Sequence, residues 1–253
     1  MCTLIVFYRV IPGYPVVVGM NRDEMLSRPA QEPQRIAGTP DIYAPRDQEA
    51  AGTWLGMNQW GLFAAILNRV SNRHSDAPPQ PRSRGLLCLD ALKRLSAEEA
   101  LAFVREETAQ PRYNKFTFLC LDKKHAYRVH FDNSRQIEVA ELGPGLHVLV
   151  NYELKDSADT EYQRQSLERS ERRQQRALEV LHGFSPRTPE EAIEKLKIIF
   201  KDHEREMCQH RGGFGTVSSS IVAISDSGPK VFLYARGSPC TTPYQDFSHI
   251  FAR

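Results

Sequence analysis

What this sequence has little of narrows the field first. Its 253 residues carry 33 basic and 31 acidic side chains, so neither sign dominates. The domain-wide basic excess that marks a nucleic-acid-binding protein is missing. Long apolar runs are missing too. The stretch from Thr3 to Tyr8 falls far short of the roughly 20 residues a membrane span requires. There are only five cysteines, Cys2, Cys88, Cys120, Cys208 and Cys240, and no CxxC pair. A zinc ribbon and a thioredoxin-type pair are therefore not expected. Gly212-Gly213-Phe214-Gly215 has no phosphate-loop lysine and no GxGxxG spacing, so it reads as a flexible turn into a strand. Ser218-Ser219-Ser220 is not a Gly-x-Ser-x-Gly elbow, which leaves no case for a serine triad.

What remains is a chain able to bury a full core, with 41% hydrophobic residues spread too evenly for disorder. Met1-Cys2-Thr3 runs straight into an apolar strand without a basic leader, so a cytoplasmic protein with reduced thiols is expected. Leu4–Ile11 and Val16–Val18 predict a hairpin about Pro12-Gly13-Tyr14-Pro15. Residues 21–50 read as a long functional loop. Thr53–Met57 and Leu62–Leu67 are short strands, and residues 71–83, with three prolines, read as a flap or linker. Leucines from Leu86 to Leu95 and the cap Ser96 predict two helices. Four strands between Phe116 and Val150 then read as one antiparallel meander. Thr160 and Thr188-Pro189 open two further helices, the second with an apolar stripe at Ile193, Leu196, Ile199 and Phe200. Val217–Ser225 and Lys230–Tyr234 form a last hairpin. Strands that arrive in hairpins need no crossover helices, so two antiparallel sheets with outer helices are expected, in a single α+β domain over residues 1–253.

Cys2 is the most suggestive position for chemistry. Loss of Met1 would leave a cysteine with a free α-amine of pKa about 7.7–8.0, suited to deprotonating its own thiol. One residue would then be both nucleophile and base. The hairpin returns Asn21-Arg22-Asp23-Glu24 toward residues 2–4, which brings Asp23 within reach of that amine. As an isolated tetrapeptide, the same residues read as a solvated charge cluster.

Met1-Cys2-Thr3, Asn21-Arg22-Asp23-Glu24, Ser27-Arg28-Pro29 and Gly52-Thr53-Trp54-Leu55-Gly56, followed by Gly61 and Asn68, together resemble the NRDE family. That family is also known by its Transport and Golgi organization members. The resemblance is dense over residues 2–70 and thin through the helical stretches 88–108 and 158–210. It implies an αββα N-terminal-nucleophile hydrolase-like sandwich, related to penicillin V acylase and bile-salt hydrolase. By that similarity Cys2 attacks an amide or ester carbonyl, and Asp23 holds the nucleophile's amine. Asn68 and Asn151 stand near substrate and oxyanion. The acylases' arginine, shortly before the aspartate, is replaced by Met20, and Val217 follows Gly215-Thr216 where many relatives have arginine. Arg22 either takes over the electrostatic role, lowering the thiol pKa, or anchors its loop through a salt bridge.

The implied activity is a cysteine amidohydrolase acting on C–N bonds other than peptide bonds, without a cofactor, on a small-molecule substrate. The alternative is a non-catalytic haem or lipid binding or trafficking protein on the same fold. His203, Cys208 and His210 are ligand-type residues, but Met207 breaks the HExxH pattern from His203. They read as a polar helix end and not as a metal site. Glu168–Arg176 reads as a solvated helix face, and the cysteines other than Cys2 as inert thiols.

Overall fold

The computed structural model describes residues 2–69, 80–110, 112–132, 137–152 and 160–252. In chain order the strands begin with β1 (Thr3–Ile11), β2 (Tyr14–Met25), β3 (Ala30–Ile36), β4 (Ile42–Asp47), β5 (Leu55–Asn58) and β6 (Phe63–Asn68). Helices α1 (Arg84–Ala91) and α2 (Ala97–Thr108) follow, then β7 (Phe116–Leu121), β8 (Ala126–Phe131), β9 (Glu138–Glu141) and β10 (Gly145–Val150). Helices α3 (Glu161–Val180) and α4 (Pro189–Lys201) precede β11 (His210–Arg211), β12 (Phe214–Ser225), β13 (Gly228–Ala235) and β14 (Gln245–Asp246). The chain forms two compact units, Met1–Arg28 with Pro144–Arg253, and Pro29–Gly143.

The first unit carries a seven-stranded sheet in the order β10-β1-β2-β12-β13-β14, with β11 on β12, every pair antiparallel. Its helix-facing core joins Ile5, Phe7, Val17, Ile221 and Ala223 to Ala192, Leu196, Ile199 and Phe200 of α4 and Ala177 of α3. The apolar stripe of α4 is thus buried as its period requires, each large side chain worth about 1.5–3 kcal/mol. A Cβ on Gly19 would lie 2.3 Å from the Phe200 ring. The glycine makes the room that lets Phe200 reach the sheet.

The second unit carries a sheet in the order β3 to β9, again antiparallel throughout. Ala64, Ile66, Phe116, Phe118, Val129 and Phe131 pack against Leu87, Leu92, Ala100 and Val104 of α1 and α2. Ser83 and Ser96 cap these helices, accepting from the N–H groups of Gly85 and Glu99. Gly52 meets the start of α1 so closely that a Cβ would sit 2.2 Å from the Gly85 carbonyl carbon. Thr53 N–H donates to Gly85 O at 3.0 Å. The obstacle is backbone, which cannot rotate away, so Gly52→Ala should destabilise by about 1–3 kcal/mol or more. Thermal unfolding would show this as a lowered Tm; an unchanged Tm would contradict the contact.

Two expectations are corrected here. Residues 21–50 are not one long loop: β2 continues to Met25, and β3 and β4 follow. The polar tail of β2 stays in the ladder because β12 pairs with it as far as Met25, while β1 pairs with it up to Asn21. β3 is polar because it is the edge strand of its sheet. The strands after residue 116 are not one meander either. β7, β8 and β9 remain in the second sheet, whereas β10 pairs with β1 in the first. Of the flap expected at 71–83, residues 71–79 lie outside the described residues. No helix among the described residues is long and apolar enough to cross a membrane.

Candidate active site

The register of the first sheet builds the site. Thr3 faces Asn21 on β2 and Val150 on β10, so one residue earlier Cys2 stands beside Arg22 and Asn151. Ser218 of β12 faces Arg22 in turn. Asn151, Cys2, Arg22 and Ser218 therefore form a row across four neighbouring strands. The backbone N–H of Cys2 donates to Asn151 Oδ1 in a very short hydrogen bond. The Ser218 hydroxyl is buried and has no protein partner.

Each residue of the NRDE tetrapeptide has its own task. Asn21 is fully buried, and its amide donates to the carbonyls of Phe200 (3.1 Å) and Met207 (2.9 Å), tying β2 to the end of α4 and the loop beyond. Arg22 is buried beside Cys2. The Asp23 carboxylate turns toward α3 and accepts three hydrogen bonds. Arg173 Nη1 (2.7 Å) and Gln209 Nε2 (2.9 Å) reach Oδ2, and Thr216 Oγ1 (2.7 Å) reaches Oδ1. Thr216 is held by reciprocal bonds with the Gln209 backbone at 3.0 and 2.9 Å. Glu24 accepts from the Met25 N–H at 2.9 Å and lies 4.0 Å from Arg28, a local anchor at the strand end.

Arg173 corrects the reading of Glu168–Arg176 as a solvated face. Both side chains of the Arg173–Asp23 pair are fully buried. Its position follows a periodicity that was there to read. The buried residues of α3 are Gln163, Ser166, Ser170, Arg173 and Ala177, spaced at three or four. Small polar side chains let the helix approach, and one arginine on that stripe reaches the sheet. Gln209 and Thr216 were also missed, since no local pattern links them to Asp23.

Burial dominates the chemistry of Cys2 and pushes its thiol above the usual value. The chain's terminal amine lowers it, the Asp23 carboxylate raises it, and the Asp23 backbone N–H and Arg22 lower it again. Arg22 thus acts in the expected direction, but burial outweighs it. The thiol is an acid to be deprotonated by a neighbour, not a standing thiolate. The structure brings together Cys2, Arg22, Asp23 and Asn151. Asn68 is placed in the second unit, at the end of β6 opposite Phe116. Val217 is skipped at the irregularity between Thr216 and Ser218, which locally resets the register against β2. Among the described residues, metal-type donors converge at His203, His210 and Cys240 and not around Cys2.

Comparison with known proteins bears on the family and the fold. The family model described as Transport and Golgi organisation 2 matches residues 1–237. The mouse Transport and Golgi organization 2 homolog is 25% identical over 260 residues, covering 92% of this chain and 91% of that protein. The human homolog is 24% identical over 264 residues, with the same coverage of 92% and 91%. Among solved structures, a Caenorhabditis elegans N-acylethanolamine-hydrolyzing acid amidase ortholog superposes with a TM-score of 0.62 at 13% identity, over 89% of this chain and 95% of that one. A conjugated bile acid hydrolase from Clostridium perfringens gives 0.61 at 12% identity, over 98% and 92%. The likeness to these two structures establishes the α+β fold of two antiparallel sheets with helices for this chain.

Proposed function

The chain belongs to the Transport and Golgi organisation 2 family, and from that premise we propose that it is an N-terminal cysteine hydrolase of a small non-peptide amide or ester, activated by removal of Met1. One observation carries this reading: the Cys2 nitrogen is fixed by Asn151, on the row that also holds Arg22. Once freed, that nitrogen becomes an amine whose lone pair can take the thiol proton. The sulfur then attacks the carbonyl carbon, its electron pair forms the C–S bond, and the carbonyl oxygen becomes an oxyanion. The ammonium proton passes to the leaving nitrogen or oxygen as the old bond breaks. Water then attacks the thioester carbonyl and gives one proton to the amine; the C–S bond breaks, the carboxylic acid departs, and the leaving sulfur takes that proton back from the ammonium as the thiol. Asp23, immobilised by three donors, orients the amine. Asn151 accepts from the nitrogen through Oδ1, and the resemblance to the acylases gives its amide the part of an oxyanion donor. Five free cysteines support a reducing compartment such as the cytoplasm.

The test is an amidase and esterase panel run on the Met1-free chain beside the Met1-retaining chain. Hydrolysis confined to the Met1-free form is expected. Equal rates from both forms, or none from either, would sink the self-activated mechanism. A second reading, a haem or lipid binder on the same fold, is favoured by the raised pKa of Cys2, which keeps the thiol neutral at pH 7. Saturable binding of haemin or acyl-CoA by a chain inactive on the whole panel would establish it.

A further inference from the structure

Three ligand-type side chains of residues 203–210 gather with Cys240 beyond the end of α4: His203, His210 and Cys240 form one group, and Cys208 joins it through Cys240 and His210. Cys208 Sγ lies 3.5 Å from Cys240 Sγ and 3.9 Å from His210 Nε2, and His210 Nε2 lies 3.2 Å from Cys240 Sγ. A donor nitrogen of His203 completes a group with His210 and Cys240 whose ligand atoms lie within 4.8 Å of one another. The two imidazole rings are 5.3 Å apart, centre to centre. A tetrahedral ion with bonds of about 2.3 Å to sulfur and 2.0–2.1 Å to nitrogen sets donor–donor edges of roughly 3.3–3.8 Å. The three measured separations bracket that edge length. We propose that His203, Cys208, His210 and Cys240 form a Cys2His2 site for a tetrahedral, borderline-soft cation of the Zn²⁺ type.

The site would have a structural use. His203 follows α4, Cys208 is held by its N–H to Asp202 O at 2.8 Å, and His210 opens β11. Cys240 comes from the segment after β13, more than thirty positions along the chain. Between His203 and Cys208 the chain turns through Arg205 and Glu206, both at positive φ (51° and 62°). Non-glycine residues hold that conformation only where their surroundings enforce it. The same loop carries Met207, whose carbonyl binds Asn21, and Gln209, whose amide binds Asp23. Gln209 sits between two of the four donors. A cation here fixes the loop that supports Asp23, and it leaves no open position for chemistry, as in closed structural zinc sites. A Cys208–Cys240 disulfide would account for the two sulfurs only, and it requires an oxidant.

The full chain, purified with a reductant, stripped with a chelator, freed of the chelator and then loaded with Zn²⁺, should retain one Zn²⁺ per molecule after gel filtration. Co²⁺ should give the thiolate charge-transfer band and the intense visible bands of a tetrahedral site. Cys240→Ser and the exposed His203→Ala should each lose that retention while keeping the wild-type circular dichroism. Zn²⁺ should also raise the Tm of the wild type but not of Cys240→Ser, and it should protect Cys240 from maleimide without protecting Cys2. No retained zinc in the wild type, a cobalt spectrum without thiolate bands, or undiminished retention by both variants would overturn the proposal. So would a Cys208–Cys240 disulfide in the reduced preparation.

Discussion

Arg173→Met is expected to destabilise the protein by about 3–5 kcal/mol, the scale for removing one partner of a buried ion pair. Methionine retains most of the arginine's apolar stem, so the loss reports the guanidinium more than packing. The Asp23 carboxylate would keep Thr216 and Gln209 as donors but lose its buried cation. Asp23→Leu should cost a comparable amount, about 3–5 kcal/mol, because it takes the carboxylate away from the fully buried Arg173 guanidinium. Replacing both residues together, as Arg173→Met with Asp23→Leu, should recover much of the loss, since two apolar groups need no mutual compensation. Urea unfolding of wild type, Arg173→Met, Asp23→Leu and the double variant supplies the cycle. Additive losses in the double variant, or an Arg173→Met midpoint equal to wild type, would show that the pair is not coupled.

The same pair shows where the sequence is legible and where it is not. Local signals are read correctly: Thr160 and Thr188 cap α3 and α4 through Gln163 and Glu191, and the Ile193–Phe200 stripe is buried. Each depends only on residues three or four apart. Trp54 is buried, while Trp60 lies in the exposed turn after Asn58. What fails is long-range. β3 and β4 hide as a loop because an edge strand need not alternate cleanly, and β10 leaves its neighbours because strand order is not written in spacing. Cys2, Asp23 and Asn151 are legible through the hairpin and through a resemblance. Arg173, 150 positions from Asp23, is not, since a charged helix normally faces water. His203, Cys208 and His210 read as a polar helix end because the fourth donor, Cys240, reaches them only through the fold.

Cys2→Ala should abolish hydrolysis of any substrate the panel identifies, by on the order of 10⁶-fold in kcat, the scale for deleting a nucleophile outright. Alanine fits the half-buried site, so stability should stay close to wild type. Asn151→Ala is expected to lose about 10²–10³-fold, because one oxyanion donor disappears while the sulfur remains. The gap between these losses separates the group that forms the bond from the group that assists it. The pH dependence adds an independent readout. Burial raises the Cys2 thiol above the usual cysteine value in the Met1-retaining chain, so a higher pH is needed to ionise it. Iodoacetamide labelling of Cys2 in that chain should therefore be slow at pH 7 and still rising beyond pH 9. In the Met1-free chain the adjacent amine takes the proton, and labelling should accelerate near neutrality. Asp23→Asn should diminish that acceleration by releasing the amine, while the Met1-retaining profile keeps its burial-driven slope. Identical profiles with and without Met1 would mean that the amine never serves as base, and the hydrolase reading would fall with it.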